Sequence, residues 1–263
     1  MYKSVFSYRI KQLWQYKFAL ISSLPLYLIR GFLTISILMA FNKLTSSSGQ
    51  VRGLVNYVWI QTCFAPFVSA WVIDSDLNNV IKTGDIAYEY MKPVDLYWSW
   101  FMRLISQRLF TGMVSSIPIL LLVSFFPKPY ALTVQISDGK IILFVVAIGL
   151  ALILNTVLSL LVYISIFHTF SITGSLLIFG SIMEFLGGLV IPFSLFPENM
   201  KNVLNLLPFK YGIAYPIQLF NGKTISAENL TGIIFQLFWI AVVILLGREW
   251  LKRDIKHIVV QGG

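Results

Sequence analysis

The chain has 263 residues, 57% of them hydrophobic and only 12% charged, about half the charged share of an ordinary soluble domain. A mean hydropathy of +0.79 and several apolar runs longer than about eighteen residues exclude an ordinary soluble enzyme and mark a polytopic membrane protein. The net charge of +9 would suggest nucleic acid in a soluble protein, but here Lys and Arg flank the apolar runs. They read as topology signals and as contacts to anionic membrane lipid, with no nucleic-acid partner.

Residues 1–17 are basic and aromatic. On a helical wheel Tyr2, Val5, Phe6, Ile10, Leu13 and Trp14 share one side, and Ser4, Ser7, Lys11, Gln12 and Gln15 the other. The pattern predicts an interfacial amphipathic helix before the first crossing, with Arg9 on the apolar side and obliged to snorkel. Spans follow at about 18–41, 54–73, 104–126, 141–167, 174–191 and 230–246. Six crossings place both termini on one side, and the Lys/Arg bias favours the cytoplasm. That assignment puts Arg103 and Arg108 among the cytoplasmic residues and leaves a basic tail from Arg248 to Lys256 inside. Asp74 and Asp76 read as the polar end of the second span. The lone Cys63 allows no internal disulfide. No small-residue cleavage site follows the first apolar run, so no removable signal peptide is expected. One membrane domain, 1–263, accounts for the whole sequence.

Two stretches carry most of the information. Residues 74–103 form the longest polar segment between the second and third spans. Within them Gly84-Asp85 suits a turn into a short helix, Tyr88 and Glu89 lie on that helix, and Lys92-Pro93 closes it. The segment admits two readings, a docking knob for a soluble partner or a solvated connector. The second stretch starts as an apolar span, breaks at Gly187-Gly188 and Pro192, and is then divided by Pro197, Pro208 and Pro216. Its two pieces, of about ten residues each, are too short to cross. Residues 193–222 are therefore expected to form a re-entrant helical hairpin on the extracellular side. The fold class is all-α: six transmembrane helices, an interfacial amphipathic helix at the start and a re-entrant hairpin before the last span.

Two charges fall inside spans, Arg30 in the first and Glu184 in the fifth. Such charges face a partner, a cavity or a pathway. They admit pairing with each other, facing a second subunit, or a protonated Glu184 with a snorkelled Arg30. Catalytic patterns are absent: His168 and His257 lack metal-ligand spacing, and neither a Gly-x-Ser-x-Gly elbow nor a Gly-x-x-x-x-Gly-Lys-Ser/Thr phosphate loop occurs. No catalytic, metal or cofactor residue is assigned in this chain.

The order of these features resembles the membrane (permease) subunit of ABC exporters of the type-two class. Gly187-Gly188-Leu189-Val190-Ile191-Pro192-Phe193, with Phe196-Pro197, Leu207-Pro208-Phe209 and Pro216-Ile217-Gln218-Leu219-Phe220-Asn221-Gly222, looks like that class before its last span. Gly84-Asp85 through Lys92-Pro93 looks like the coupling segment of its uncharacterised bacterial permease branch. Arg30 is not part of that pattern. The resemblance implies a multi-pass protein of the bacterial plasma membrane, paired with a second permease, either the same chain or a sister permease. It further implies a soluble ATP-binding cassette ATPase subunit that supplies ATP and Mg, with Gly84, Asp85, Tyr88, Glu89, Lys92 and Pro93 receiving its movement. Spans one, two and five would line the pathway or the dimer interface, and the hairpin would form the outer gate. The competing readings are an ion-coupled secondary transporter, a lipid-modifying membrane enzyme, and a non-transporting immunity or scaffold protein. The single buried carboxylate, the lack of repeats and the missing catalytic pairs weigh against the first two.

Overall fold

The computed structural model describes residues 2–42, 48–69, 73–83, 86–91, 93–127, 130–132, 138–169, 172–221 and 227–255. These residues are mostly helical, and no strand occurs among them. The first elements are α1 (Tyr2–Trp14), α2 (Lys17–Ile21), α3 (Leu24–Asn42) and α4 (Ser48–Val68). Two short helices, α5 (Ser75–Thr83) and α6 (Ile86–Tyr90), lead into the long α7 (Leu96–Ser124) and α8 (Asp138–Thr169). After α9 (Ile172–Leu186) come a 3-10 turn at Phe193–Leu195 and three short helices, α10 (Glu198–Leu204), α11 (Pro208–Gly212) and α12 (Ala214–Asn221). The chain closes on α13 (Ala227–Ile255).

Among the described residues four helical stretches are long and apolar enough to cross a membrane: Lys17–Ala40, Leu96–Ser124, Ile141–Thr169 and Leu230–Ile255. Two expected spans do not reach that mark on their own. α9 has 15 residues, about 22 Å at ~1.5 Å per residue, against a hydrocarbon core of about 30 Å. α4 has 21 residues but mixes Arg52, Asn56, Gln61 and Thr62 into its apolar sequence and ends at Val68, just past Pro66, not at Ile73.

Helix ends follow local chemistry. Asp95 caps α7, its side chain accepting from the Trp98 backbone N–H at 3.2 Å. The helix therefore starts at Leu96, two turns before the expected start of the span at Leu104, and carries both Arg103 and Arg108. The basic tail is likewise helical as far as Ile255, because α13 continues past its apolar part.

α8 is the hub of the bundle and packs against α13, α12, α7, α9 and α11. Around it lies the main core, with Trp100, Leu104, Leu154, Leu160 and Tyr163 fully enclosed. A second core joins α3, α4 and α7 through Ile35, Val58, Trp59 and Ile119. Its rings pack edge to face or tilted, as in Phe32 edge to face against Trp59 at 5.2 Å between centroids. The short helices form a third, small core around Phe193, Phe196, Leu204 and Ala214.

The α1 helix, α5, α6, the start of α7 and the last turns of α8 and α13 meet at one end of the bundle, here the basal end. The short helices pack on α8, α13, α4 and α9, away from it. Where two helical pieces were expected, a 3-10 turn and three short helices are found. Pro192 and Pro197 lie in extended backbone on either side of the 3-10 turn, Pro208 opens α11, and Pro216 sits in the first turn of α12, where its missing N–H has no helical partner to lose. The reversal itself depends on Gly188, whose φ of +85° is one that residues with a Cβ rarely adopt.

Candidate functional site

Ion pairs assemble the basal end. Arg9, expected to reach out to the interface, is instead buried and turned into the protein. Its guanidinium lies 2.9 Å from Asp74 and 2.8 Å from Asp76, and it donates to Gln12 at 2.7 Å. Gln12, placed on the polar face by the wheel, also donates to Asp76 at 3.2 Å, whereas Trp14 from the apolar set is exposed. Asp74 is fully buried and caps α5 through the Leu77 N–H at 3.0 Å. Its own N–H donates to Tyr163 Oη on α8 at 2.6 Å, and Gln107 on α7 donates to the Ile73 carbonyl at 3.0 Å. One acidic pair, read as a span end in the sequence, thus ties α1, α5, α7 and α8 together. Partial burial alone would push the Asp76 carboxyl up. Hydrogen bonds from Gln12 and Arg9, with the charges of Arg9 and Arg103, outweigh burial and hold it below the ordinary carboxylate value.

A second knot closes the foot of the bundle. Asp95 pairs with Arg248 of α13 at 3.1 Å, and its N–H donates to Tyr2 Oη at 3.2 Å. His168 at the end of α8 lies 3.1 Å from Asp254.

The α5–α6 segment sits on this base. Leu77 and Ile86 are buried beneath it. Glu89 points inward, accepting from Trp100 Nε1 at 3.1 Å and pairing with Arg103 at 3.3 Å. Tyr88 and Met91 point outward, 67% and 71% exposed, and Pro93 is exposed beside them. Of the six residues expected at the coupling surface, Gly84, Asp85 and Lys92 lie outside the described residues. Tyr88 and Pro93 are on the surface, and Glu89 fastens the segment to α7.

Deeper in the bundle runs a polar seam. Arg108, assigned to the cytoplasm by the charge count, is fully enclosed. Its guanidinium donates to the carbonyls of Phe67, Ser69 and Asn155 and to Ser159 Oγ. α4 ends at Val68, so these acceptors include carbonyls at its C-terminal end, where partners are lacking and partial negative charge collects. Ser69 Oγ in turn donates to Glu184 on α9 at 3.2 Å. Arg30 is exposed on α3, and among the described residues it forms no ion pair with Glu184.

Three buried amides pin the short helices. Gln61 donates to the carbonyls of Gly188 and Leu189, Asn155 to Gly212 at 2.7 Å, and Gln236 to Ala147 and Tyr211, both at 2.9 Å. Gly212 allows that approach, since a Cβ there would lie 2.7 Å from Asn155 Oδ1. In the sequence these amides stand as single polar residues within apolar runs, a signal that marks them but not their partners. Among the described residues no group of three His, Cys, Asp or Glu side chains is placed to hold a metal ion.

Residues 32–262 match the family model described as ABC-2 family transporter protein. The chain belongs to the ABC-2 transporter family. It is an ABC-2 type permease subunit, a multi-pass membrane protein. A search of curated proteins returns no match. In this permease the knob, the α1 clasp and the polar seam are connected parts, since α7 carries Arg103 and, one turn on, the adjacent Gln107 and Arg108, which reach the knob, α1 and the seam in that order.

Proposed function

We propose that this permease forms the translocation pathway of an ATP-driven exporter energised by a separate ATP-binding cassette subunit. The basal end faces the cytoplasm, with both chain ends there, in a bacterial plasma membrane. α1 lies along the inner interface. The six crossings are α2–α3, α4, α7, α8, α9 and α13, and the 3-10 turn with α10–α12 forms a re-entrant hairpin on the outer side. Two permeases pair, as copies of this chain or with a sister chain. ATP and Mg bind in the partner ATPase, which docks on the surface of the α5–α6 segment formed by Tyr88, Met91 and Pro93, with Gly84, Asp85 and Lys92. The alternating-access step moves the knob and the first helix together.

The observation that supports this most is the construction of the basal end. Glu89, Arg9, Asp74 and Gln107 fasten the knob and α1 to α7 and α8, while Tyr88 and Met91 are left outward. A push on a surface fixed in this way reaches the long helices rather than dissipating in a loop.

The test is affinity purification of the tagged chain from its native membrane, followed by assay of ATP hydrolysis. A soluble ATPase copurifies and gives vanadate-sensitive hydrolysis. Tyr88→Ala with Met91→Ala reduces the retained ATPase about tenfold, the scale of an interface residue worth more than ~1 kcal/mol, while the permease folds normally. Full retention in that variant, or a carboxy-terminal tag reachable only from outside the cell, overturns the reading.

A further inference from the structure

The face of α3 turned away from α4 and α7 is a stripe of exposed apolar residues, Leu26, Ile29, Leu33 and Ile37, with Arg30 exposed among them. Arg30 lies near the middle of the apolar stretch Lys17–Ala40, about 15 Å from Ala40 at ~1.5 Å per residue, farther than one side chain extends. The guanidinium has no ion pair among the described residues. Glu184 is not its counter-ion, because that carboxylate is buried against α4 and takes a hydrogen bond from Ser69. Tyr27, one turn before Arg30, packs against both the main core and the second core, so this part of α3 adjoins the bundle. An unpaired cation at this depth is costly in lipid and is ordinarily found facing water or a ligand.

We propose that Arg30 faces the water-filled side of the pathway and binds the anionic group of the transported molecule. That molecule is an amphipathic anion, its apolar body lying along Leu26, Ile29 and Leu33. This rests on the exporter reading and adds to it a substrate class. Arg30 is the selectivity residue: it attracts an anionic head and repels a cationic one of the same shape.

The charge can be read without knowing the natural substrate. Leu33→Cys places a thiol one turn from Arg30 on the exposed stripe, and the wild-type chain serves as the blank because its one cysteine, Cys63, is buried. The full-length chain is labelled in membrane vesicles of both orientations with an anionic sulfonatoethyl and a cationic trimethylammonioethyl methanethiosulfonate. Leu33→Cys reacts in at least one orientation. Adding Arg30→Gln lowers the anionic-to-cationic rate ratio about fivefold, the effect of one charge a few ångströms away in a wet site, and Arg30→Lys restores it. Dodecyl phosphate slows labelling, dodecyltrimethylammonium does not, and Arg30→Gln removes the protection. Absence of labelling in both orientations, as when lipid or a second copy covers the stripe, overturns the proposal. So does a ratio that Arg30→Gln leaves unchanged, or equal protection by the two amphiphiles. Copurification of the ATPase with the wild-type chain tests the exporter reading separately.

Discussion

At the basal end of this permease, segments distant in sequence are tied by charge: Arg9 to Asp74 and Asp76, Arg103 to Glu89, Arg248 to Asp95. At the short helices they are tied by neutral amides, with Gln61, Asn155 and Gln236 each donating to backbone carbonyls. The difference follows from what each place must satisfy. The basal ion pairs range from the enclosed Arg9–Asp74 to the partly exposed Arg248–Asp95, and each brings a charge together with its counter-charge. The broken segment after α9 instead presents backbone carbonyls inside the bundle, where a neutral donor satisfies them without burying another ion. Arg108 departs from this among the deep residues. Its acceptors include carbonyls at the end of α4, a place where partial negative charge stands in for a carboxylate.

The largest effect expected from breaking this contrast is at Arg9. Arg9→Leu leaves the fully enclosed Asp74 without its cation and lowers stability by about 3–5 kcal/mol, read as thermal unfolding in detergent. Adding Asp74→Asn recovers part of that loss, and a second substitution that recovers nothing refutes the ion-pair account. Next comes Asn155→Leu, which leaves the Gly212 carbonyl without its donor and costs about 1–3 kcal/mol. The loss is accompanied by faster hydrogen exchange in α11 and α12 but not in α1.

The pH response separates the two ends more gently. The Asp76 carboxyl is held below its ordinary value in the folded chain. Its contribution is therefore complete above the ordinary carboxylate value of about 4 and disappears as pH falls through the lower, folded value. Exchange protection of α1 falls over that acid range, while protection of α11 stays level. The smallest effect belongs to Lys201→Ala. Its pairing with Glu198, at 2.8 Å, lies on the outside of α10, where Glu198 is open to solvent. Stability changes by less than about 0.5 kcal/mol. A larger loss would show that the surface of the short helices is covered in the assembled protein.

Hydropathy and punctuation determined much of this permease. They made it all-helical, indicated six spans of which four are long and apolar enough to cross alone, and located the break at Gly187–Pro192, because the bilayer admits few ways to satisfy a backbone and proline and glycine end helices by local sterics. They also placed a short amphipathic segment between α4 and α7. What they did not fix was where each charge points. Arg9 looked like a snorkelling residue, Arg108 like a cytoplasmic-side cation and Glu89 like a surface contact, and all three are turned inward toward partners between 11 and 67 residues away. Only tertiary packing decides this, since the energy of a buried charge depends on the acceptors brought to it from other helices, and that information is not local to any stretch of sequence.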